Sequence, residues 1–367
     1  MKRVKVDELE SGMVVARSIF SSDGRILLHA GVLLNQTYIS RLKSINIGSV
    51  YVEDSLFPDM VQPQEPVSEE TRVLTISAVK QTFEQLEKER KLNTRLVHRV
   101  VNNLLDEILT NQQVLIGLSD IRRYDDYTFG HSVNVCVLSI MSGITMHYND
   151  IKLKELGIGA LLHDIGKVYI DPDILNKTGE LTREEYEEIK KHSEYGFEVL
   201  RQYPDIPLLS AHVAFQHHER YDGHGYPRKL AGDEIHEYSR IVAVADVYDA
   251  LLADRPYRSS YSINQAITIL KRMAGIHLDP ECTTALISNI AVYPIGTIVE
   301  LNTGSIGIVV DINKKWPTRP VVRIVYDRQK RRFLPAHEID LTKMSTIIIT
   351  RTLSEGELSQ LLKKNSG

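Results

Sequence analysis

Between Thr71 and Ile121 the chain has no proline and a single glycine, Gly117, while Val79, Phe83 and Leu86, then Leu92, Leu96, Val100 and Leu104, recur at helical spacing. A strand cannot use that period, because its successive side chains alternate between two faces, so the stretch predicts long amphipathic helices. The same texture runs to about residue 290, interrupted by glycine and proline near 166–179, 203–207 and 222–232. Two capping boxes support it: Thr182 with Glu185 opens "TREEYEEIKKH", and Ser262 with Gln265 opens "SINQAITILKRM". Residues 71–290 are therefore expected to be all-α.

The flanks carry a different period. Residues 1–54 alternate short β-like runs, "MVVARSIF", "GRILLHAGVLL" and "SVYVE", around a turn at Ser22-Asp23-Gly24, which predicts a small β-rich module. "SLFPDMVQPQEPVSEE", residues 55–70, collects Pro, Gln, Ser and Glu and reads as a linker. After Tyr293-Pro294 the runs "GTIVEL", "GIVVDI", "PVVRIVY" and "TIIIT" predict a small β-barrel-like module over 291–367, closed by a short helix. The fold class is multidomain, a central all-α domain between two small β-rich modules.

With 367 residues, 43% of them hydrophobic, the chain can bury more than one core. Its net charge of −4 is interspersed along the sequence, which gives no reason to expect a nucleic-acid polymer or a membrane surface as partner. The basic runs "KKW" at 314–316 and "RQKRR" at 328–332 read as solvated turn charges. Cys136 and Cys282 lack a CxxC partner and suit a reducing compartment. No stretch of eighteen apolar residues and no signal-like start occur, so a cytoplasmic location is expected. The apolar spacing over 71–120 fits intramolecular packing, with homodimerisation through these helices as the other use.

Five histidines and two aspartates in the helical region call for a common explanation: His131, His163-Asp164 in "HDIGK", His192, His217-His218 and Asp246. His163 and His192 follow Ala160 and Ile189 by three residues, so they project from apolar helix faces. An unpartnered buried polar group costs roughly 1–3 kcal/mol. Imidazole and carboxylate without thiolate suit Fe or Mn, or Zn, and seven ligands exceed the needs of one ion. Two divalent ions bridged by Asp164 would use them all, and such a pair activates a bridging water for phosphoryl displacement. Lys167, Arg255 and Arg258 are cations suited to the phosphates.

The "HDIGK" at 163–167 and "HHERYDGHGYP" at 217–227, together with "ADVYDALLADRPYR" and "GIHLDP", resemble the HD-GYP subgroup of the HD-domain metal-dependent phosphohydrolases over about residues 124–280. The resemblance implies hydrolysis of cyclic di-GMP to pGpG, and in some members to GMP, at a centre holding iron or manganese. Carried over by position, the metal ligands are His131, His163, Asp164, His192, His217, His218 and Asp246. Asp164 and Lys167 take the catalytic roles, and Lys167, Tyr226, Arg255 and Arg258 the substrate contacts. Members with a third metal carry glutamate where this chain has Tyr127, which implies a dinuclear centre.

Two other readings stand beside the enzyme: a catalytically weak cyclic-dinucleotide sensor, and a hydrolase of another cyclic dinucleotide or nucleotide. A degenerate sensor is expected to lose one of the seven ligands, and none is missing. Asp222 is read as a turn residue, Glu219 is left open, and Asp249 is read either as a partner of a ligand histidine or as unrelated to the site.

Overall fold

Polar side chains just outside the helices decide where most of them start. The computed structural model describes residues 2–21, 25–45, 47, 49–53, 65–111, 114–116, 127–177, 179–253, 261–313, 315–353 and 355–364. At the N-terminus, β1 (Lys2–Lys5), β2 (Ile19–Phe20), β3 (Ile26–Leu28), α1 (Gln36–Ser44) and β4 (Ser49–Val52) form the small module. β1 pairs antiparallel with β4, β2 with β3, and Val6, Val15, Ile39, Leu42 and Val52 meet in a core of their own.

The helical region comprises α2 (Glu69–Glu89), α3 (Thr94–Thr110), α4 (Tyr127–Thr145), α5 (Asp150–Leu162), α6 (Pro172–Leu175), α7 (Arg183–Lys190), α8 (His192–Leu200), α9 (Leu208–Gln216), α10 (Glu237–Leu252), α11 (Ile263–Met273) and α12 (Pro280–Ser288). Ser68, Asn93, Asn149 and Asp279 accept from backbone N–H groups of the first turns of α2, α3, α5 and α12, and both capping boxes form. α4 is mostly apolar and buried nearly all round, with Val133, Val135, Cys136, Leu138 and Ile140 all covered, so it takes the middle of the domain. It packs against α5, α10, α12 and α2.

Val79, Phe83, Leu86, Leu92, Val100 and Leu104 all enter this same core. Burying a side chain as completely as Leu104 contributes roughly 1.5–3 kcal/mol. These members of the stripe over 71–120 pack within the chain. Cys136 and Cys282 are buried free thiols. Among the described residues, no helix is long and apolar enough to cross a membrane.

The C-terminal module is one five-stranded antiparallel sheet. Its strands β5 (Ile298–Leu301), β6 (Ile306–Asp311), β7 (Val321–Tyr326), β8 (Arg332–Asp340) and β9 (Ile349–Leu353) run in the order β8-β7-β6-β5-β9. Period-two alternation sends Ile298, Ile308 and Val325 to one face, under Leu358 of α13 (Glu355–Lys364), and Val299, Val309 and Ile324 to the other. Arg319 ties the loop before β9 to the sheet. Its guanidinium donates to the carbonyls of Leu341, Met344, Ile347 and Ser345 at 3.0–3.2 Å. Arg319→Ala should lower the stability of this module by roughly 2 kcal/mol, the scale for hydrogen bonds from a charged donor, as read by denaturant unfolding.

Candidate metal centre

Six helical elements deliver the seven residues expected at the site. His131 lies in the first turns of α4, His163 caps the C-terminus of α5, and Asp164 is the N-cap of the 3₁₀ turn Ile165–Tyr169. His192 opens α8, His217 caps the C-terminus of α9, and Asp246 lies on α10. Adjacent imidazole centroids are 4.0–5.4 Å apart along the series His131, His163, His217, His192, with His218 beside His217 and His192.

Local backbone geometry sets the tautomers. The Nδ1 of His163 lies 2.8 Å from the carbonyl of Ala160, that of His192 2.6 Å from Ile189, and that of His217 3.0 Å from Ala214. A carbonyl can only accept, so each Nδ1 carries the proton and donates it, leaving an Nε2 lone pair directed at the cluster. His131 donates instead to Asp249, with Nδ1 at 2.7 Å from Oδ2, while its Nε2 faces Asp246 Oδ1 at 3.1 Å. Asp249 therefore orients a site histidine.

Asp164 has one oxygen in each half of the cluster. Its Oδ1 faces His192 Nε2 at 3.5 Å and His217 Nε2 at 3.8 Å, whereas its Oδ2 faces His163 Nε2 at 3.4 Å and Lys167 Nζ at 2.5 Å. Two groups with cation-holding spacing result, Asp164-His192-His217-His218 and His131-His163-Asp164, each with its ligand atoms within 4.8 Å of one another. Asp246 flanks the second through His131.

Among the described residues, His163 Nε2 and Asp164 Oδ1 are buried and find no hydrogen-bond partner. Buried polar atoms of that kind are costly unless something else satisfies them, and cations between the imidazoles and the carboxylate would do so. The residues present thus fit a divalent-metal centre.

For three of the imidazoles and for Asp164, electrostatics agree with that donor set. Burial pushes the imidazoles of His192 and His217 down, and that of His218 to about 3, so all three are neutral lone-pair donors at neutral pH. Burial alone would raise Asp164, but Lys167 and the neighbouring imidazoles hold its carboxyl well below the usual carboxylate range. His131 goes the other way. Although burial opposes its charge, hydrogen bonds to Asp246 and Asp249 lift it to about 10.

The turn after the paired histidines is a support for them. The Tyr226 ring stacks on His218 with centroids 4.7 Å apart and 28° between planes, and its backbone N–H donates to the His218 carbonyl at 3.2 Å. Glu219, buried, accepts from the backbone N–H groups of Arg228 and Leu230 at 2.7 and 3.0 Å, and so holds the loop closed. Asp222 pairs with Arg220 and accepts from the His224 N–H, a turn role as expected. A Cβ on Gly225 would collide with the backbone of His218, Glu219 and Arg220, so glycine alone lets the strands of this loop cross there.

Beyond Tyr226 lie residues that the sequence did not single out. Lys190 Nζ is 5.6 Å from the Tyr226 ring centroid and 5.1 Å from that of Tyr186, whose side chain is exposed. Lys190 also pairs with Glu187 at 2.6 Å. Arg255 and Arg258 lie outside the described residues. Tyr127 opens α4.

Comparison with known proteins points the same way. The HD domain family matches residues 106–282, and a KOW domain associated with HD domains matches residues 298–361. A cyclic di-GMP phosphodiesterase of Pseudomonas aeruginosa is 29% identical over 93% of this chain and 89% of its own length. The 3′3′-cGAMP-specific phosphodiesterase 3 of Vibrio cholerae is 39% identical over 44% of this chain and 35% of its own. A solved HDG"Y"P protein from Bdellovibrio bacteriovorus superposes with a TM-score of 0.47 at 18% identity, covering 78% of this chain and 97% of that one.

Gly166 is the least conspicuous member of "HDIGK" and the most constrained by packing. A Cβ there would fall into the His192 carbonyl and the Gly196 amide, because the 3₁₀ turn after Asp164 lies directly on α8. Its missing side chain thereby brings Asp164 and His192 together. Gly166→Ala should cost roughly 1–3 kcal/mol, the range for forced overpacking, and should weaken metal binding. Thermal unfolding and metal content per chain after gel filtration check both.

Proposed function

We propose that this chain, which the HD domain family matches over residues 106–282, is a metal-dependent phosphodiesterase that hydrolyses cyclic dinucleotides, with cyclic di-GMP as its substrate. The reading rests on one observation, the two ligand groups that share the buried carboxylate of Asp164. The near full-length relative from Pseudomonas aeruginosa, a cyclic di-GMP phosphodiesterase, supports the choice of substrate, and the Vibrio cholerae relatives make 3′3′-cGAMP the second candidate.

In this reading His131, His163, Asp164, His192, His217, His218 and Asp246 hold two divalent ions, iron or manganese. When bound, such ions supply Lewis-acid charge and lower the pKa of water for attack on phosphorus. The chain's own residues do the rest. Lys167, with its ammonium at Asp164 Oδ2 and its side chain 32% exposed, offsets charge on the phosphoryl oxygens. Tyr226 keeps the His218 ring at a fixed tilt by stacking on it. Tyr186 and Lys190 continue the wall past Tyr226 and offer a face for a base and a donor for its carbonyl. Water adds across a phosphodiester P–O bond, opening the ring to pGpG, and a second cleavage yields GMP.

The protein reconstituted anaerobically with Mn²⁺ or Fe²⁺ should convert cyclic di-GMP to pGpG and then GMP. Chelation should abolish turnover, and Asp164→Ala should reduce it by at least about 100-fold, the scale for losing one charge-stabilising group. Full metal loading with no product from either cyclic dinucleotide would overturn the assignment. Lys190→Met should raise KM about 5-fold with kcat nearly unchanged, the mark of lost binding common to ground and transition states; that is worth ~1 kcal/mol.

A further inference from the structure

The bond that orients His131 does not end at Asp249. Asp249 Oδ2 accepts from His131 Nδ1 at 2.7 Å, and its other oxygen, Oδ1, accepts from the Asn134 side-chain amide at 2.7 Å. Asn134 Oδ1 in turn accepts from Arg72 Nη1 at 3.3 Å. Arg72, Asn134 and Asp249 are 6%, 5% and 8% exposed, so water does not compete for these bonds. Arg72 lies on α2, outside the residues 106–282 that the HD domain family matches.

The order of donors along this chain is chemically forced. A guanidinium only donates and a carboxylate only accepts, so an amide between them must turn its oxygen to Arg72 and its nitrogen to Asp249. Without Arg72, the Asn134 side chain would be held only by its bond to Asp249 and would be free to shift, which would loosen Asp249 and with it the partner that fixes the His131 ring.

We propose that Arg72 is a positioning residue for the metal centre: by orienting the Asn134 amide it holds Asp249 on His131 and sets the affinity of the ion that His131 serves. The inference rests on the reading of His131 as a metal ligand. Arg72 also lines a cleft of about 400 Å³ shared with Arg17, Ser18 and Phe20 of the N-terminal module. The relay therefore has its outer end where that module meets the helices.

The test uses the full chain with Mn²⁺ and a competing chelator, comparing wild type with Arg72→Met and with Arg72→Gln, which keeps a donor. Arg72→Met should weaken one of two bound ions about 10-fold, the scale for removing a partner of a ligand histidine, and leave the other unchanged. Arg72→Gln should fall between, and carries the test should Arg72→Met fail to fold, as judged by circular dichroism of the metal-free proteins. In an Asp249→Asn background, Arg72→Met should add less than about 2-fold, because both changes cut the same relay. Two ions bound by a folded Arg72 variant with wild-type affinity, or effects that simply add, would overturn the relay. A wild type that binds no ion would overturn the metal reading and the relay together.

Discussion

One buried carboxylate organises the site. Asp164 turns its two oxygens toward different imidazoles, and a carboxylate so removed from water persists as an anion because the Lys167 ammonium lies against it and offsets its charge. Everything nearby serves that arrangement. α5 ends two residues before it, the 3₁₀ turn after it lies against α8, and α9 brings His217 to within 3.8 Å of Oδ1.

The imidazoles are held by a local rule repeated at three places. Each of His163, His192 and His217 sits at or beside a helix end and donates Nδ1–H to a carbonyl three residues earlier. Helix ends have carbonyls to spare, so the rule satisfies backbone and side chain at once and leaves every Nε2 facing inward. His131 lies inside α4, where backbone carbonyls are already engaged, and takes its partner from α10 in the form of Asp249. That difference joins one site histidine to a hydrogen-bond chain that reaches α2.

Much of this was readable in advance, and the limits have a physical origin. The all-α character of the middle, both capping boxes and the β-rich flanks followed from periodicity and capping chemistry, which involve residues only a few positions apart. The site histidines and aspartates stood out because imidazoles on apolar helix faces need a partner. Glu219 and Asp249 were undecided, since a carboxylate's partner is a matter of distance in space: Glu219 closes its own loop, and Asp249 holds His131. Lys190 and Tyr186 gave no signal because lysine and tyrosine on a charged helix are ordinary until Tyr226 is known to lie beside them.

Residue types and their spacing along the chain were enough to specify helices, caps and a set of imidazole and carboxylate donors, because each of those depends on neighbours within a turn or two. The packing of α4 between α5 and α10, and of the Asp164 turn onto α8, decided the rest. It assigned one Asp164 oxygen to each group of imidazoles, made Gly166 a contact point and carried a hydrogen-bond chain out to Arg72. Such distances arise between segments remote in sequence, where only the close-packed core sets which atoms meet.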